Sequence, residues 1–300
     1  MELVTLSRPE VLRLLEENKI SPSRALGQNF VADPNTVRRI ARLAGVGPED
    51  RVVEIGAGLG SLTLALLETG ASVTAVERDR WLVPVLRKVL DERAPGAPVE
   101  VVEADAMHID WAHLLGPEGS WALVANLPYN VATPLVADVL DGVPAVERML
   151  VMVQDEVARR LAATPGSAAY GAVSVKVAYW ADAALVGTVP SSVFVPRPKV
   201  GSALVSLRRR PVPAVDPDLV APEVLFSLAR AAFGQRRKML RRSLAGLAVR
   251  ESVFAVAGID GRSRPQELSV ADWGRLAAAI AAAEPGGRRL GADGRSSGGE

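Results

Sequence analysis

The chain predicts an α/β protein: a mostly parallel, Rossmann-like sheet with helices on both faces, followed by a small all-α domain. Three observations carry that reading. Short apolar runs alternate with helical stretches between residues 51 and 161. The first run ends in a glycine-rich loop that opens a helix. The strand pattern stops at a proline-rich stretch, 211–222, beyond which only helical patterning remains. Strands alternating with helices argue for a parallel sheet covered on both sides. At roughly 150 residues per domain, 300 residues suit two domains.

Taken in order, residues 1–20 read as a helix with Leu6, Val11, Leu14 and Leu15 on one face. Residues 21–33 carry turn chemistry and no period. Asp33 is a natural N-cap and Pro34 a natural first residue for a helix running through Leu43, ended by Gly45 and Gly47. Strands follow at Arg51–Ile55, Ser72–Val76, Val99–Val102, Trp121–Ala125 and Arg148–Val153. Helices are expected at Ser61–Glu68, Arg80–Leu90, Thr133–Leu140 and Gln154–Leu161. Two longer β-like runs, Ala172–Ala181 and Val200–Arg210, flank a proline-rich loop at 190–198 and add an antiparallel edge. Past the linker, helices are expected at Glu223–Phe233, Arg237–Leu247, Glu251–Ala257 and Val270–Ala283. The expected organisation is a catalytic domain over 1–210 with an N-terminal helical extension, a helical domain over 211–284, and a disordered tail over 285–300, where six of sixteen residues are Gly.

Composition removes several function classes. Apolar residues make up 49% and charged residues 23%, enough to bury a core and too apolar for a disordered chain. With no Cys, disulfide scaffolds, zinc ribbons and cysteine nucleophiles are excluded. The two His, His108 and His113, cannot build a multi-histidine metal site, so no metal is expected, and no G-x-S-x-G accompanies them. The N-terminus is charged throughout, without the apolar core of a signal peptide. No 18-residue apolar run is free of polar interruption, so no membrane span is expected and the expected location is the cytoplasm.

The first predicted strand ends in Glu54-Ile-Gly56-Ala-Gly58-Leu-Gly60. Such a loop brings a ligand close to the backbone at the carboxyl edge of the sheet. Its G-x-G-x-G spacing departs from the dinucleotide G-x-G-x-x-G, and there is no G-K-[ST] for a phosphate loop. The acid Glu54 before the loop suits a positive centre better than a pyrophosphate. Glu77, ending VTAVE, can accept from both hydroxyls of a ribose. Asp105, ending VVEAD, can accept from an adenine amino group. A nucleoside with a cationic, phosphate-free tail satisfies all of them: S-adenosylmethionine.

The strand Trp121–Ala125 runs into Asn126-Leu127-Pro128-Tyr129. An exocyclic base amine is a poor nucleophile because its lone pair is delocalised into the ring. Attack on a sulfonium methyl needs that nitrogen rehybridised and held in line. The Asn126 side-chain carbonyl and the Leu127 backbone carbonyl are two acceptors able to do this, Pro128 stiffens the turn, and Tyr129 offers a face to stack on the base. The gain is then positioning and electrostatics rather than a strong base.

Net charge is only +1, yet residues 206–250 hold ten Arg or Lys against three acids, a local +7. Within this window, Arg236, Arg237, Lys238, Arg241 and Arg242 cluster, with 237/241 and 238/242 spaced as neighbouring rows on the expected helix. Arg208–Arg210 stands beside the linker and extends the same basic surface. Like charges this close favour an anionic partner, and RNA phosphate fits.

These motifs resemble the bacterial KsgA family of ribosomal RNA adenine N6,N6-dimethyltransferases over residues 20–285. The carriers are LGQNF (26–30), EIGAGLG (54–60), VERD (76–79), EADAM (103–107), NLPYNVATPL (126–135), VPSSVFVPRPKVGSALV (189–205) and FGQRRKMLRRSL (233–244). The resemblance implies a class I S-adenosylmethionine-dependent methyltransferase fold with a seven-stranded sheet. It implies four methyl transfers to two adjacent adenosines near the 3′ end of 16S rRNA, late in small-subunit assembly. It places cofactor contacts at Asn29, Val31, Gly56, Glu77, Asp105 and Asn126, beside Glu54 and Gly58 of the loop, and a base-packing aromatic at Phe194. Family members usually carry Leu at the position of Val31, a contact made through the backbone. Two rivals share the pattern: a 23S rRNA adenine dimethyltransferase conferring antibiotic resistance, and a non-catalytic RNA-binding assembly factor. Nothing in the sequence demands a dimer, and a monomer is expected.

Overall fold

The computed structural model describes residues 5–23, 26–117, 119–128 and 131–283. The expected tail at 285–300 and Tyr129 lie outside the described residues. The elements in order are α1 (Arg8–Glu17), β1 (Phe30–Val31), α2 (Pro34–Ala44), β2 (Arg51–Ile55), α3 (Ser61–Leu67), β3 (Ser72–Glu77), α4 (Leu82–Arg93), β4 (Val99–Glu103), α5 (Trp111–Leu115), β5 (Trp121–Asn126), α6 (Ala132–Gly142), β6 (Val146–Gln154), α7 (Asp155–Leu161), α8 (Ala172–Trp180), β7 (Ala181–Val189), β8 (Phe194–Val195), β9 (Ser202–Arg209), α9 (Pro222–Phe233), α10 (Leu240–Ser243), α11 (Glu251–Ala257) and α12 (Val270–Ala283). The chain divides into two compact units, one holding residues up to Ala162 with Asp182–Arg209, the other Ala163–Ala181 with the described residues from Arg210 on.

The first unit is built on a seven-stranded sheet in the order β4-β3-β2-β5-β6-β9-β7. The pairs β2–β3, β3–β4, β2–β5 and β5–β6 are parallel, and β9 runs antiparallel to β6. The central strands are apolar on both faces, as a sheet covered on both sides requires: β2 buries everything after Arg51. The chain builds outward from β2 to β3 and β4, then returns to place β5 on the other flank of β2. That reversal is a topological switch point, and it opens a crevice at the carboxyl ends of β2 and β5. A separate two-stranded ribbon pairs β1 with β8, Val31 opposite Phe194. Asp33 caps α2 by accepting from the Thr36 N–H at 2.9 Å, and Gly45 ends it at φ +62°.

The second unit is helical, and its core gathers Tyr170, Tyr179, Phe226, Leu240, Phe254 and Trp273. Two sequence expectations fail here. The strand expected at Ala172–Ala181 is instead helix α8 over Ala172–Trp180, which belongs to this unit, and Ala181 opens β7. The alternation of Val173, Val175 and Val177 mimics a strand. What decides is packing: Val175 and Tyr179 sit on one helical face in the second core, with Tyr179 edge-on to Phe226 at 5.1 Å, and the Gly171 N–H donates to the Ser174 hydroxyl at 3.0 Å. The edge strand that the sheet needs is supplied instead by β7, from ADAALVGTV. The helix expected at 237–247 is broken as well. Residues 234–237 form turns, Lys238 a bend, Met239 is extended at φ −62° and ψ 153°, and only Leu240–Ser243 is α-helical. The first N–H groups of α10 donate to Ser263 and Gly261 carbonyls at 2.8 and 3.0 Å, a tertiary pairing that fixes the start of α10 beyond the basic run. Among the described residues, no helix is long and apolar enough to cross a membrane.

Candidate active site

Four strand ends feed one cleft. It is lined by Asn29 and Val31 at the first ribbon, by Glu54 near the end of β2 with Gly56 and Gly58 after it, by Glu77 at the end of β3, by Asp105 after β4, by Asn126 at the end of β5 with Leu127 and Pro128 after it, and by Phe194. Its empty volume, solvent-facing mouth included, is about 1150 Å³.

The glycine loop turns on residues at positive φ, +75° at Gly56 and +60° at Gly58. A β-carbon on Gly58 would stand 3.1 Å from the Phe30 ring, so the loop and the 26–31 segment pack backbone to ring. The Gly58 N–H donates to Glu77 Oε2 at 2.8 Å, and the Asp79 N–H donates to Glu77 Oε1 at 2.8 Å. Burial raises the Glu77 carboxyl above its ordinary pKa, outweighing the backbone N–H groups of Asp79, Gly58 and Arg78. Glu54 is buried and accepts from the Thr63 hydroxyl at 2.6 Å. Burial, with the Glu77 charge adding, carries it up to about 8 against the Thr63 hydrogen bond. Asp105 is more open. Its burial opposes ionisation, but the Met107 N–H at 3.1 Å, Arg78 at 3.3 Å and the His108 imidazole at 3.4 Å hold its pKa below the ordinary value.

The donor set fits S-adenosylmethionine on this structure's own terms. Three carboxyls face one cleft, the loop backbone approaches where side chains are absent, and the buried Ser61 hydroxyl, also lining the cleft, has no hydrogen-bond partner among the described residues. Sequence reasoning passed over Ser61 as a binding group, naming it only as the first residue of an expected helix. It also passed over Thr63, Gln28 and Asp79. Their signal, a polar residue inside an apolar helix or a motif, is too common to single them out.

At the end of β5, Asn126 Nδ2 donates to the Asn29 carbonyl at 2.9 Å. The Leu127 N–H donates to the Met152 carbonyl at 3.0 Å, pinning the turn to β6. The Pro128 carbonyl accepts from Val131 and Ala132 N–H at 3.2 and 3.1 Å and opens α6. Phe194 lines the cleft from β8 but is only 1% exposed, packed into the first core.

The basic residues do not form the expected helical rows. Arg236 and Arg237 lie in the turn, Lys238 at a bend, and only Arg241 and Arg242 on α10. The Arg236 guanidinium donates to the Ser167 and Ala168 carbonyls at 3.4 and 2.7 Å, so it closes a loop. Arg237, Lys238, Arg241 and Arg242 are exposed. Arg209 leaves the basic surface altogether: its guanidinium donates to the Val139, Leu140, Val143 and Val146 carbonyls, and burial lowers its pKa.

A seven-stranded, mostly parallel sheet with a nucleoside-type cleft at its switch point defines the class I methyltransferase fold. Residues 21–282 match the family model described as ribosomal RNA adenine dimethylase. The chain is 50% identical to ribosomal RNA small subunit methyltransferase A of Kineococcus radiotolerans, covering 94% of this chain and 95% of that one. It is 49% identical to the protein of the same name from Thermobifida fusca, covering 91% and 95%. Among solved structures, the 23S rRNA methyltransferase ErmE superposes with TM-score 0.64 at 27% identity, over 84% of this chain and 99% of that one. A dimethyladenosine transferase from Plasmodium falciparum superposes with TM-score 0.68 at 24% identity, over 81% and 94%, and shows the shared fold. The chain belongs to the ribosomal RNA adenine dimethylase family.

Proposed function

We propose that this chain transfers methyl groups from S-adenosylmethionine to N6 of two adjacent adenosines near the 3′ end of 16S rRNA. Four transfers complete the modification, in the cytoplasm, late in small-subunit assembly. The observation that carries the chemistry is the Asn126 amide: with its nitrogen committed to the Asn29 carbonyl, its oxygen remains to accept from the substrate. The rRNA assignment rests on relatives named for the small subunit that match nearly the whole chain.

Asn29, Val31, Gly56, Gly58, Glu77 and Asp105 would hold the cofactor, with Glu54 meeting its cationic tail. When bound, it supplies an electrophilic sulfonium methyl. Asn126 Oδ1 and the Leu127 carbonyl accept hydrogen bonds from the target amine and draw its lone pair out of the ring. Pro128 limits the drift of the Leu127 carbonyl. Tyr129 would stack on the base, and Phe194, which lines the cleft, would pack against it. A neutral amide serves both rounds on each adenosine, since it leaves no charge to be paired when a methylated amine returns. Arg237, Lys238, Arg241 and Arg242 supply phosphate contacts, and RNA shape selects the site.

Labelled S-adenosylmethionine offered to unmethylated small subunits, with free 23S rRNA in parallel and modified bases mapped, tests the proposal. Label on two adjacent 16S adenosines is expected. Label on one 23S adenosine would reassign the substrate. No transfer to either, with cofactor bound, would point to a non-catalytic assembly factor.

A further inference from the structure

The wall of the cleft formed by residues 26–31 is tied to both halves of the site. Gln28 Oε1 accepts from the Ser23 N–H at 2.8 Å, and Gln28 Nε2 donates to Asp79 Oδ2 at 2.7 Å. Asp79 Oδ1 accepts from the Trp81 N–H at 3.0 Å, while the Asp79 N–H donates to Glu77. One residue beyond Gln28, the Asn29 carbonyl receives Asn126 Nδ2. A continuous series of hydrogen bonds and peptide links therefore runs from Gly58 through Glu77, Asp79, Gln28 and Asn29 to Asn126.

We propose that Gln28 and Asp79 are positioning residues for methyl transfer, their hydrogen bond fixing the Asn29 carbonyl and through it the orientation of the Asn126 amide. This rests on the methyltransferase reading above. An asparagine amide has two orientations related by a flip, and only the one with Nδ2 on Asn29 presents Oδ1 to an amine. The Asn29 carbonyl is fixed only as well as its loop, and β1 begins after it, at Phe30. Gln28 ties the preceding residues to the β3–α4 side of the cleft, by its side chain on both sides and by its own N–H to the Ser23 carbonyl at 3.0 Å, while the Leu26 N–H to Ser23 Oγ at 3.3 Å and Asn29 Nδ2 to the Gly27 carbonyl at 3.1 Å are bonds within the segment. The polarity of the pair is set by its surroundings. The Ser23 N–H can only donate, so Gln28 must keep its oxygen there and its nitrogen toward Asp79. The Trp81 N–H can only donate, so an amide at position 79 would keep its oxygen there and turn its nitrogen toward Gln28.

A swap therefore tests the pair. Gln28→Glu sets a carboxylate against a carboxylate, and Asp79→Asn sets an amide nitrogen against an amide nitrogen. The double variant reverses donor and acceptor, restores the bond and keeps the charge of the pair. For wild type, both single variants and the double, the measurements are melting temperature, calorimetric affinity for S-adenosylmethionine, and single-turnover methyl transfer to unmethylated small subunits at saturating cofactor. Each single variant is expected to slow transfer by about tenfold or more, since small misplacements of reacting groups are costly. Cofactor affinity should shift far less, and the double variant should recover to within about threefold of wild type. Single variants as fast as wild type, a double variant as slow as the worse single, or losses confined to cofactor affinity or melting would each overturn the inference. A wild-type protein that transfers no methyl group overturns the functional reading and this inference with it, whereas an active wild type with indifferent variants overturns this inference alone.

Discussion

The Asn126 side-chain amide donates to the backbone carbonyl of Asn29 at 2.9 Å, joining residues 97 positions apart. The turn at the end of β5 and the segment that walls the cleft thereby share one hydrogen bond. On the proposed mechanism, position 126 must both donate to that carbonyl and accept from an amine, and an amide does both.

Asn126→Ala removes both functions, and Asn126→Asp replaces the donor with an oxygen facing a carbonyl. Each should lower kcat by roughly 10²–10³-fold, the cost of losing one well-placed polar contact to a developing charge. RNA binding, measured by filter retention, should survive, because the exposed cations of the second unit are untouched. Transfer within a few-fold of wild type in Asn126→Ala would remove this amide from the reaction.

Glu54 makes stability and cofactor binding depend on pH. Its pKa is about 8 in the folded protein against an ordinary 4.5, so between these values the native state holds a proton that the unfolded chain has lost. Stability contributed by that proton declines as pH rises through the window, and Glu77, also raised, acts in the same sense. The melting temperature of ligand-free protein should therefore fall from pH 5 to pH 8, by less in Glu54→Gln. A cationic ligand favours the carboxylate, so binding near neutral pH should release a proton. Calorimetry in buffers of different ionisation enthalpy reads that release, and its persistence in Glu54→Gln would assign it elsewhere.

Much of this site was legible because strand ends are written locally. A run such as VVEIGAGLG places its acid and its glycines with no tertiary information, and Glu77 and Asp105 follow by the same rule. Where neighbours distant in sequence decide, the reading failed. Ala172–Trp180 carries strand-like alternation and is held as a helix by the second core. Arg236 looks like one more surface cation until the Ser167 and Ala168 carbonyls are seen beneath it. The Gln28–Asp79 bond, 51 positions apart, has no local signature at all.

Gly58→Ala should damage the cleft from both sides. Its φ of +60° costs an L-residue roughly 1–2 kcal/mol, before any contact is counted. The new methyl also meets the Phe30 ring at 3.1 Å, pushing the 26–31 segment away from the loop. Reduced melting temperature and weaker binding of S-adenosylmethionine are expected together. Gly47→Ala is the control, since nothing lies within 4 Å of its added carbon and its φ is ordinary; it should stay within about 0.5 kcal/mol of wild type. Equal effects at the two positions would refute the packing argument.

The basic segment separates into one structural cation and four candidates for RNA contact. Arg236 satisfies two backbone carbonyls, and its replacement by Ala leaves them without that donor, so the expected result is a lower melting temperature. Arg237, Lys238, Arg241 and Arg242 are exposed and give up little stability when shortened. If they bind phosphate, each contact removed should reduce the slope of log affinity for rRNA against log salt by roughly 0.7–0.9. Titrations at several salt concentrations would then show a shallower line for Arg237→Ala and Lys238→Ala, and a near-parallel one for Arg236→Ala measured well below its melting point. The opposite pattern, with the slope carried by Arg236 alone, would mean that its guanidinium leaves the loop carbonyls for the RNA and that the four exposed cations are solvated bystanders.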